Sequence, residues 1–184
     1  MSYSVHASSI NVSADQIWLG LLILRVSVGA TMIAHGYSHI YRGGKIKGTA
    51  GWFASLGMKP GILHAWLASL TELAAGFALV VGLLTPLAAG AVIGVLTVAF
   101  ITNHRKAGFF VFNRPVEGWE YLMNLIAACF AIACVGPGRW SVDNAIDFQM
   151  HGWWGFTTAV VIGFGGTAAL LAVFWRPPAP APPS

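Results

Sequence analysis

The chain has 184 residues, of which 57% are hydrophobic and 9% are charged. Soluble domains carry roughly 25% charged residues, so this composition excludes a water-soluble globule of this size. The formal net charge of +4 comes from basic residues that flank apolar segments, which favours a role in membrane topology over nucleic-acid binding.

Five apolar segments follow a polar start. Residues 1–16 contain no Lys or Arg, which the start of a secretory signal peptide requires, so we expect the first apolar segment to stay in the membrane. Each segment approaches the ~20 residues that cross a hydrocarbon core. They cover residues 17–40, 62–84, 87–103, 119–135 and 153–175. The sequence therefore predicts an all-α membrane protein.

The segments between and after the spans give three smaller predictions. Residues 48–58 place Trp52, Phe53 and Leu56 on one face of a short helix lying on the bilayer surface. Residues 176–184 are Pro-rich, which is typical of a disordered tail. Cys129 and Cys134 point about 140° apart on a helix, so we expect two small buried side chains rather than a disulfide.

Basic residues outside the spans concentrate on one side of the predicted bundle. That side carries Arg42, Lys45, Lys47, Lys59, Arg105, Lys106, Arg114 and Arg176, whereas the other carries Arg139. Positively charged loops stay in the cytoplasm. We therefore predict a multi-pass protein of the plasma membrane with its N-terminus outside and its C-terminus in the cytoplasm.

Two charged residues fall deep inside the predicted spans, away from their ends. Arg25 lies eight residues into the first span, and Glu72 lies ten residues into the second, which runs in the opposite direction. In a core about 30 Å thick their depths nearly match, so we predict an Arg25–Glu72 ion pair. Such a pair either joins the two helices structurally or forms part of a functional pocket.

Several polar residues are predicted to converge near the basic side. His35 and His39 share a broad helix face with Arg25, and the same side holds His64, His104 and Glu120. Three interpretations stay open: a metal site, a quinone or proton-handling pocket, and histidines that only hydrogen bond to loop carbonyls. The metal interpretation is the weakest, so we predict no metal.

Several motifs in order resemble the DoxX family of small bacterial membrane proteins. They span residues 19–143 and comprise Leu24–Arg25, His35–Gly36, Glu72 with Gly76, Gly82 with Thr85, Gly118 with Glu120, and the GPGRWSVD stretch that ends at Asp143. The resemblance implies a four-helix membrane domain over residues 17–143, to which this chain adds a fifth helix at 153–175. Many relatives have Lys where His39 stands here, so the resemblance favours His35, beside Gly36, over His39 as a site residue.

The resemblance also implies a link to redox chemistry. Relatives include the small subunit of an archaeal thiosulfate:quinone oxidoreductase and a mycobacterial member of a membrane complex with superoxide dismutase and a sulfurtransferase. We therefore expect a small subunit or accessory of a quinone-linked oxidoreductase that serves a sulfur compound or thiol and oxidative stress. Its expected pocket comprises Arg25, His35, Glu72 and Glu120, with His39 and His104 handling protons.

The sequence contains no Rossmann glycine fingerprint, haem-attachment motif or iron–sulfur cysteine set. We therefore expect no intrinsic cofactor beyond a bound quinone, and other redox subunits or further copies of the chain as partners. Whether the protein is itself catalytic stays open. The alternative is a non-enzymatic scaffold or small-molecule carrier in which the Arg25–Glu72 pair is structural. A transporter is less favoured because broken-helix signals are missing.

Overall fold

The computed structural model describes residues 13–113 and 115–178 of the chain. Over these residues the fold is helical, apart from an isolated antiparallel bridge between Met58 and Trp175. The helices are α1 (Ala14–Tyr41), α2 (Lys45–Ser55), α3 (Gly61–Val81), α4 (Thr85–Thr102), α5 (Glu120–Val135), α6 (Val142–Ala145) and α7 (Gly152–Phe174). The predicted all-α membrane fold is confirmed.

Five helices coincide with the five predicted spans. Helices α1, α3, α4 and α7 are long and apolar enough to cross a membrane, and α5 is a shorter apolar helix of 16 residues. Helix α2 is the short helix expected between the first two spans. The predictions for residues 1–12, Arg114 and residues 179–184 lie outside the described part of the chain.

Helix α1 begins at a capping box. The Ser13 hydroxyl accepts a hydrogen bond from the Gln16 backbone, and the Gln16 side chain accepts one from the Ser13 backbone. The helix has 28 residues, which corresponds to about 42 Å, so it is longer than a hydrocarbon core of about 30 Å. Helix α3 has 21 residues and ends beside Arg25, so the first turns of α1 reach beyond α3.

Glycine residues fix the register of α1 against α3. A methyl group on Gly29 would lie 2.5 Å from the Gly76 carbonyl oxygen, and one on Gly36 would lie 2.8 Å from the Ser69 carbonyl oxygen. Only glycine permits such a close backbone approach. Because the helices are antiparallel, this register places Arg25 beside the C-terminal end of α3.

Helix α4 forms the centre of the bundle and packs against α3, α5 and α7. Gly90 and Gly94 allow α7 to approach closely at Ile162 and Gly163. A π-helical turn, Val161–Gly165, interrupts α7 there. Next to this turn, the Thr167 hydroxyl donates a hydrogen bond to the Gly163 carbonyl at 2.7 Å. It also lies 3.1 Å from the Gly94 carbonyl oxygen of α4.

The helix directions give the bundle two different ends. The end at which α1, α4 and α7 finish is called the basic end, and it carries Arg42, Lys45, Lys47, Lys59, Arg105, Lys106 and Arg176. The opposite end carries Arg139, and its Trp153 and Trp154 side chains are 81% and 79% exposed. Exposed aromatic side chains at a helix end suit the headgroup region of a bilayer.

Candidate functional site

Arg25 binds backbone carbonyls at the end opposite the basic end. Its Nη1 lies 2.9 Å from the Leu79 carbonyl oxygen and 3.2 Å from that of Val80, and its Nη2 donates to the Trp140 carbonyl at 2.7 Å. The side chain is fully buried. The Leu79 and Val80 carbonyls lie at the end of α3, where no further helical N–H groups are available. Arg25 therefore caps the C-terminus of α3.

The predicted Arg25–Glu72 ion pair is wrong. Glu72 lies seven residues before Leu79 on α3, about 10 Å further along the helix axis. The prediction assumed that α1 and α3 begin and end at the same depths in the membrane. The glycine contacts shift α1 along α3, so that Arg25 reaches the end of α3 instead of its middle.

Asp143 completes the same cluster from α6, the short helix after α5. Its carboxylate accepts hydrogen bonds from the backbone N–H groups of Leu84 at 2.6 Å and Thr85 at 2.8 Å. These N–H groups begin α4, where a negative charge is favourable. The Asp143 N–H also donates to the Gly82 carbonyl. Arg25 and Asp143 thus hold the α3–α4 turn together, which is a structural role.

Glu72 is instead paired with His39 near the basic end. The His39 Nε2 lies 3.4 Å from the Glu72 Oε2, and the side chains are 22% and 6% exposed. The contact lacks hydrogen-bond geometry, and Glu72 Oε2 has no hydrogen-bond partner. An unsatisfied buried polar atom costs about 1–3 kcal/mol. A buried carboxylate with this deficit is a functional candidate.

A cavity of about 260 Å³ lies beside this pair. It occupies a cleft between α3 and α7, which share no extended contact, and its floor is the second half of α4. Most of its wall is apolar, with Leu67, Val95, Val98 and Leu170 among the lining residues. Its polar side chains are His39, His64, Thr71, Glu72, Thr102 and Thr167.

His64 is the second buried polar side chain of this cavity. It is 2% exposed, and its Nε2 has no hydrogen-bond partner. Aromatic rings surround it, with the Phe174 ring centroid 5.1 Å away and that of Phe53 6.3 Å away. The cavity is therefore lined by residues with two buried polar atoms that lack hydrogen-bond partners, Glu72 Oε2 and His64 Nε2.

Helix α2 and the end of α7 close the cavity at the basic end. Trp52, Phe53 and Met58 line it there, and the Trp52 ring stacks on His39 with centroids 6.3 Å apart. The Trp175 indole donates to the Leu56 carbonyl at 3.0 Å. Backbone bonds from Lys59 to Phe174 and from Arg176 to Gly57 attach the same segments. The fifth membrane helix is thus part of the cavity wall.

His39 separates the cavity from an open depression on the basic end. The depression is lined by Ser38, Arg42, Gly44 and Thr49, and both hollows include His39 and Trp52 in their walls. The Thr49 hydroxyl donates to the His39 carbonyl at 2.8 Å and fixes this turn. His39 therefore lies between the water-accessible surface and the buried Glu72.

The other predicted site residues lie outside the cavity. His35, which the sequence favoured, is exposed on the outer face of α1. Glu120 begins α5 and is partly exposed. His104 Nδ1 donates to the Glu117 carbonyl at 2.7 Å, so in the neutral ring Nε2 accepts from its neighbours, the Tyr121 hydroxyl and the Asn103 amide. His104 fixes the loop against α5.

His39, rather than the favoured His35, is therefore the histidine of the candidate site. One helical turn separates His35 from His39, but only His39 faces Glu72. The spacing of Gly29, Gly36 and Gly76 is the signal that would have revealed the register of α1 on α3. Over residues 13–113 and 115–178, no group of three His, Cys, Asp or Glu side chains is placed to hold a metal ion.

These features define the class: a multi-pass, all-α membrane protein with a cavity of mixed polarity between its helices. The DoxX family model matches residues 20–105, from the first turns of α1 through the 3₁₀ turn after α4, and the predicted DoxX-family membrane protein is confirmed. The motifs around Glu120 and Asp143 lie beyond the matched residues. No curated protein and no solved structure matches the chain.

Proposed function

We propose that the protein is a membrane subunit or accessory of a quinone-linked oxidoreductase, and that the cavity at Glu72 receives the quinone head group. The observation that carries the proposal is the cavity itself. It combines apolar walls with a few buried polar atoms, as small-molecule sites do. Its volume of about 260 Å³ lies just below the range of about 300–1,000 Å³ for such sites, which suits one substituted ring.

The position of the cavity supports this ligand class. The cavity lies in the half of the bundle nearest the basic end, between helices that are long enough to cross a membrane. A head group can reach it from the bilayer through the cleft between α3 and α7, while an apolar tail stays in lipid. A water-soluble metabolite would not be expected to enter through this cleft, because it does not partition into the bilayer.

The polar residues have defined roles in this proposal. A bound quinone supplies a couple that takes up or releases two electrons and two protons. Glu72 faces the cavity and holds a proton acceptor at Oε2. His39 lies 3.4 Å from that atom and is partly exposed, so it can exchange protons between Glu72 and water.

The electrons come from or pass to a partner subunit with its own redox group, because this sequence contains no flavin, haem or iron–sulfur motif. That partner acts on the sulfur compound, thiol or peroxide. In the proposed arrangement the basic end faces the cytoplasm of the plasma membrane, with the N-terminus outside. A soluble partner then binds at the side where the cavity closes.

Quinone binding in lipid nanodiscs tests the proposal. Wild-type protein is expected to bind a short-chain ubiquinone, measured by the quenching of tryptophan fluorescence, and Glu72→Gln and His39→Phe are each expected to weaken binding by about tenfold or more. His35→Ala is the matched control, since His35 lies one turn from His39 on the same helix but is exposed. Absence of saturable binding to the wild type contradicts the proposal and favours the scaffold or carrier alternative.

A further inference from the structure

The cavity at Glu72 has an open side between two membrane-spanning helices. Among the described residues that line it, three are exposed: Trp52, Leu67 and Gly166. Trp52 belongs to α2 at the basic end, whereas Leu67 belongs to α3 and Gly166 to α7. Because α3 and α7 share no extended contact, Leu67 and Gly166 form the two rims of a gap, which is called the mouth.

The depth of the mouth determines what surrounds it. Leu67 lies six residues after the start of α3, about 9 Å along the helix, and Gly166 lies eight residues before the end of α7, about 12 Å from it. Both of these helix ends are at the basic end of the bundle. In a hydrocarbon core about 30 Å thick, such positions lie among the acyl chains. The mouth therefore opens into hydrocarbon and not into the headgroup region.

The glycine at 166 is required neither by packing nor by the conformation of α7. At Gly163, by contrast, an added methyl group would lie 2.5 Å from the Ile93 side chain. At Gly165 and Gly166 it meets no atom within 4 Å, and both residues have ordinary helical backbone angles. Glycine inside a helix is destabilising relative to alanine. Of these two residues only Gly166 lines the cavity, so its missing side chain leaves the mouth wide.

We propose that Gly166 determines the ligand specificity of this cavity, because it keeps the mouth wide enough for an apolar chain to extend from a ring bound inside. This inference rests on the proposed quinone site and adds the part of the ligand that the mouth recognises. A cavity of about 260 Å³ holds one substituted ring, so a chain attached to that ring lies outside it. The chain passes between Gly166 and Leu67 and reaches hydrocarbon without crossing water.

The mouth favours ligands of one architecture. A ring with an apolar chain places its polar atoms beside His39 and Glu72 and its chain among the lipids. A ring with a charged group in place of the chain would have to bury that group in hydrocarbon, which is costly. The expected ligands are therefore rings that carry an alkyl or prenyl chain.

A substitution at Gly166 and its matched control test the inference. Each protein is reconstituted in nanodiscs, and the dissociation constants of a short-chain ubiquinone and of the same ring without a chain are measured by the quenching of tryptophan fluorescence. Gly166→Leu is expected to weaken binding of the chain-bearing quinone by about tenfold or more, while the ring alone keeps its affinity. Gly165→Leu is expected to bind both ligands as the wild type does, since Gly165 is exposed but does not line the cavity.

The opposite rim provides a second pair of variants in case a substitution in α7 impairs folding. Leu67→Phe adds bulk to the mouth and is expected to weaken binding of the chain-bearing quinone. Leu70→Phe changes an exposed residue of the same helix that does not line the cavity, and it is expected to have no effect. The melting temperature in detergent is expected to stay unchanged in both pairs, because all four positions are exposed.

The outcomes separate the inference from the function on which it rests. If Gly166→Leu and Leu67→Phe bind the chain-bearing quinone as their controls do, or if they weaken the chain-bearing quinone and the ring alone equally, the inference is overturned and the quinone site stands. Wild-type binding of the chain-bearing form alone supports the inference, since the chain then contributes to binding. Absence of wild-type binding by either ligand overturns the quinone site as well.

Discussion

His39 Nε2 lies 3.4 Å from Glu72 Oε2, although the two residues belong to different helices and are 33 positions apart in the sequence. His39 is in the last turn of α1 and is partly exposed, whereas Glu72 is in the middle of α3 and is buried. The contact therefore connects water at the basic end to a carboxylate inside the bundle. His39 and Glu72 thus lie between the cavity and the surface of the basic end.

Glu72→Leu separates a ligand-binding role from a structural one. Removing the carboxylate leaves His39 without its partner, but His39 is partly exposed and can be solvated. Replacing a buried ion pair by apolar side chains is often neutral or stabilising, and here the member that remains can reach water. We expect an unchanged or higher melting temperature in detergent and a loss of quinone binding. A large fall in melting temperature would instead identify Glu72 as a structural residue.

Arg25→Ala is expected to lower the free energy of unfolding by about 3–5 kcal/mol, because it leaves buried carbonyls at the end of α3 without donors. Unfolding in mixed micelles measures this change. Arg25→Lys keeps the charge but not the planar group that reaches both α3 and Trp140, so an intermediate loss is expected. Arg139→Ala is the control, since Arg139 is exposed and lies 4.0 Å from an exposed Asp15.

Asp143→Ala removes the acceptor for the first N–H groups of α4. Helix caps of this kind contribute about 0.5–2 kcal/mol, so we expect a loss in that range in the same unfolding assay. Asp143→Asn keeps one side-chain oxygen and should lose less. Equal losses for the two variants would show that the negative charge, rather than the hydrogen-bond geometry, stabilises the turn.

Gly76→Ala tests the close approach of α1 and α3. The added methyl group would lie 2.7 Å from the Gly29 carbonyl oxygen, a backbone atom that cannot move aside without separating the helices. We expect a lower melting temperature and weaker quinone binding, because the His39–Glu72 contact depends on the same register. Gly20→Ala on α1 meets no atom within 4 Å and should leave both measurements unchanged.

The spans could be predicted because their lengths and boundaries are local properties. Pro86 occupies the first turn of α4, and Gly82 ends α3 in the left-handed conformation at a φ of 70°. The partners of Arg25 could not be predicted from depth alone, since depth ignores how far one helix slides along another. Helical spacing also left His35 and His39 nearly equivalent, and only tertiary packing distinguishes them.

The cavity was not predictable for a different reason. Its walls come from α1, α2, α3, α4 and α7, and the segments that meet at its basic end, bridged between Met58 and Trp175, are far apart in the sequence. No local pattern indicates that Trp175 donates to the Leu56 carbonyl. The apolar composition of 153–175 predicts a span but does not indicate its neighbours.

The cluster that holds the α3–α4 turn has a consequence for how the protein is made. Arg25 and Trp140 are 115 positions apart, and Asp143 follows the helix ends that it caps by almost 60 positions. A chain emerging from the ribosome inserts α1, α3 and α4 before Trp140 and Asp143 have been synthesised. In the early intermediate the Arg25 guanidinium therefore has only its acceptors on α3, and the α3–α4 turn is uncapped, so the cluster is completed only after α5 has crossed.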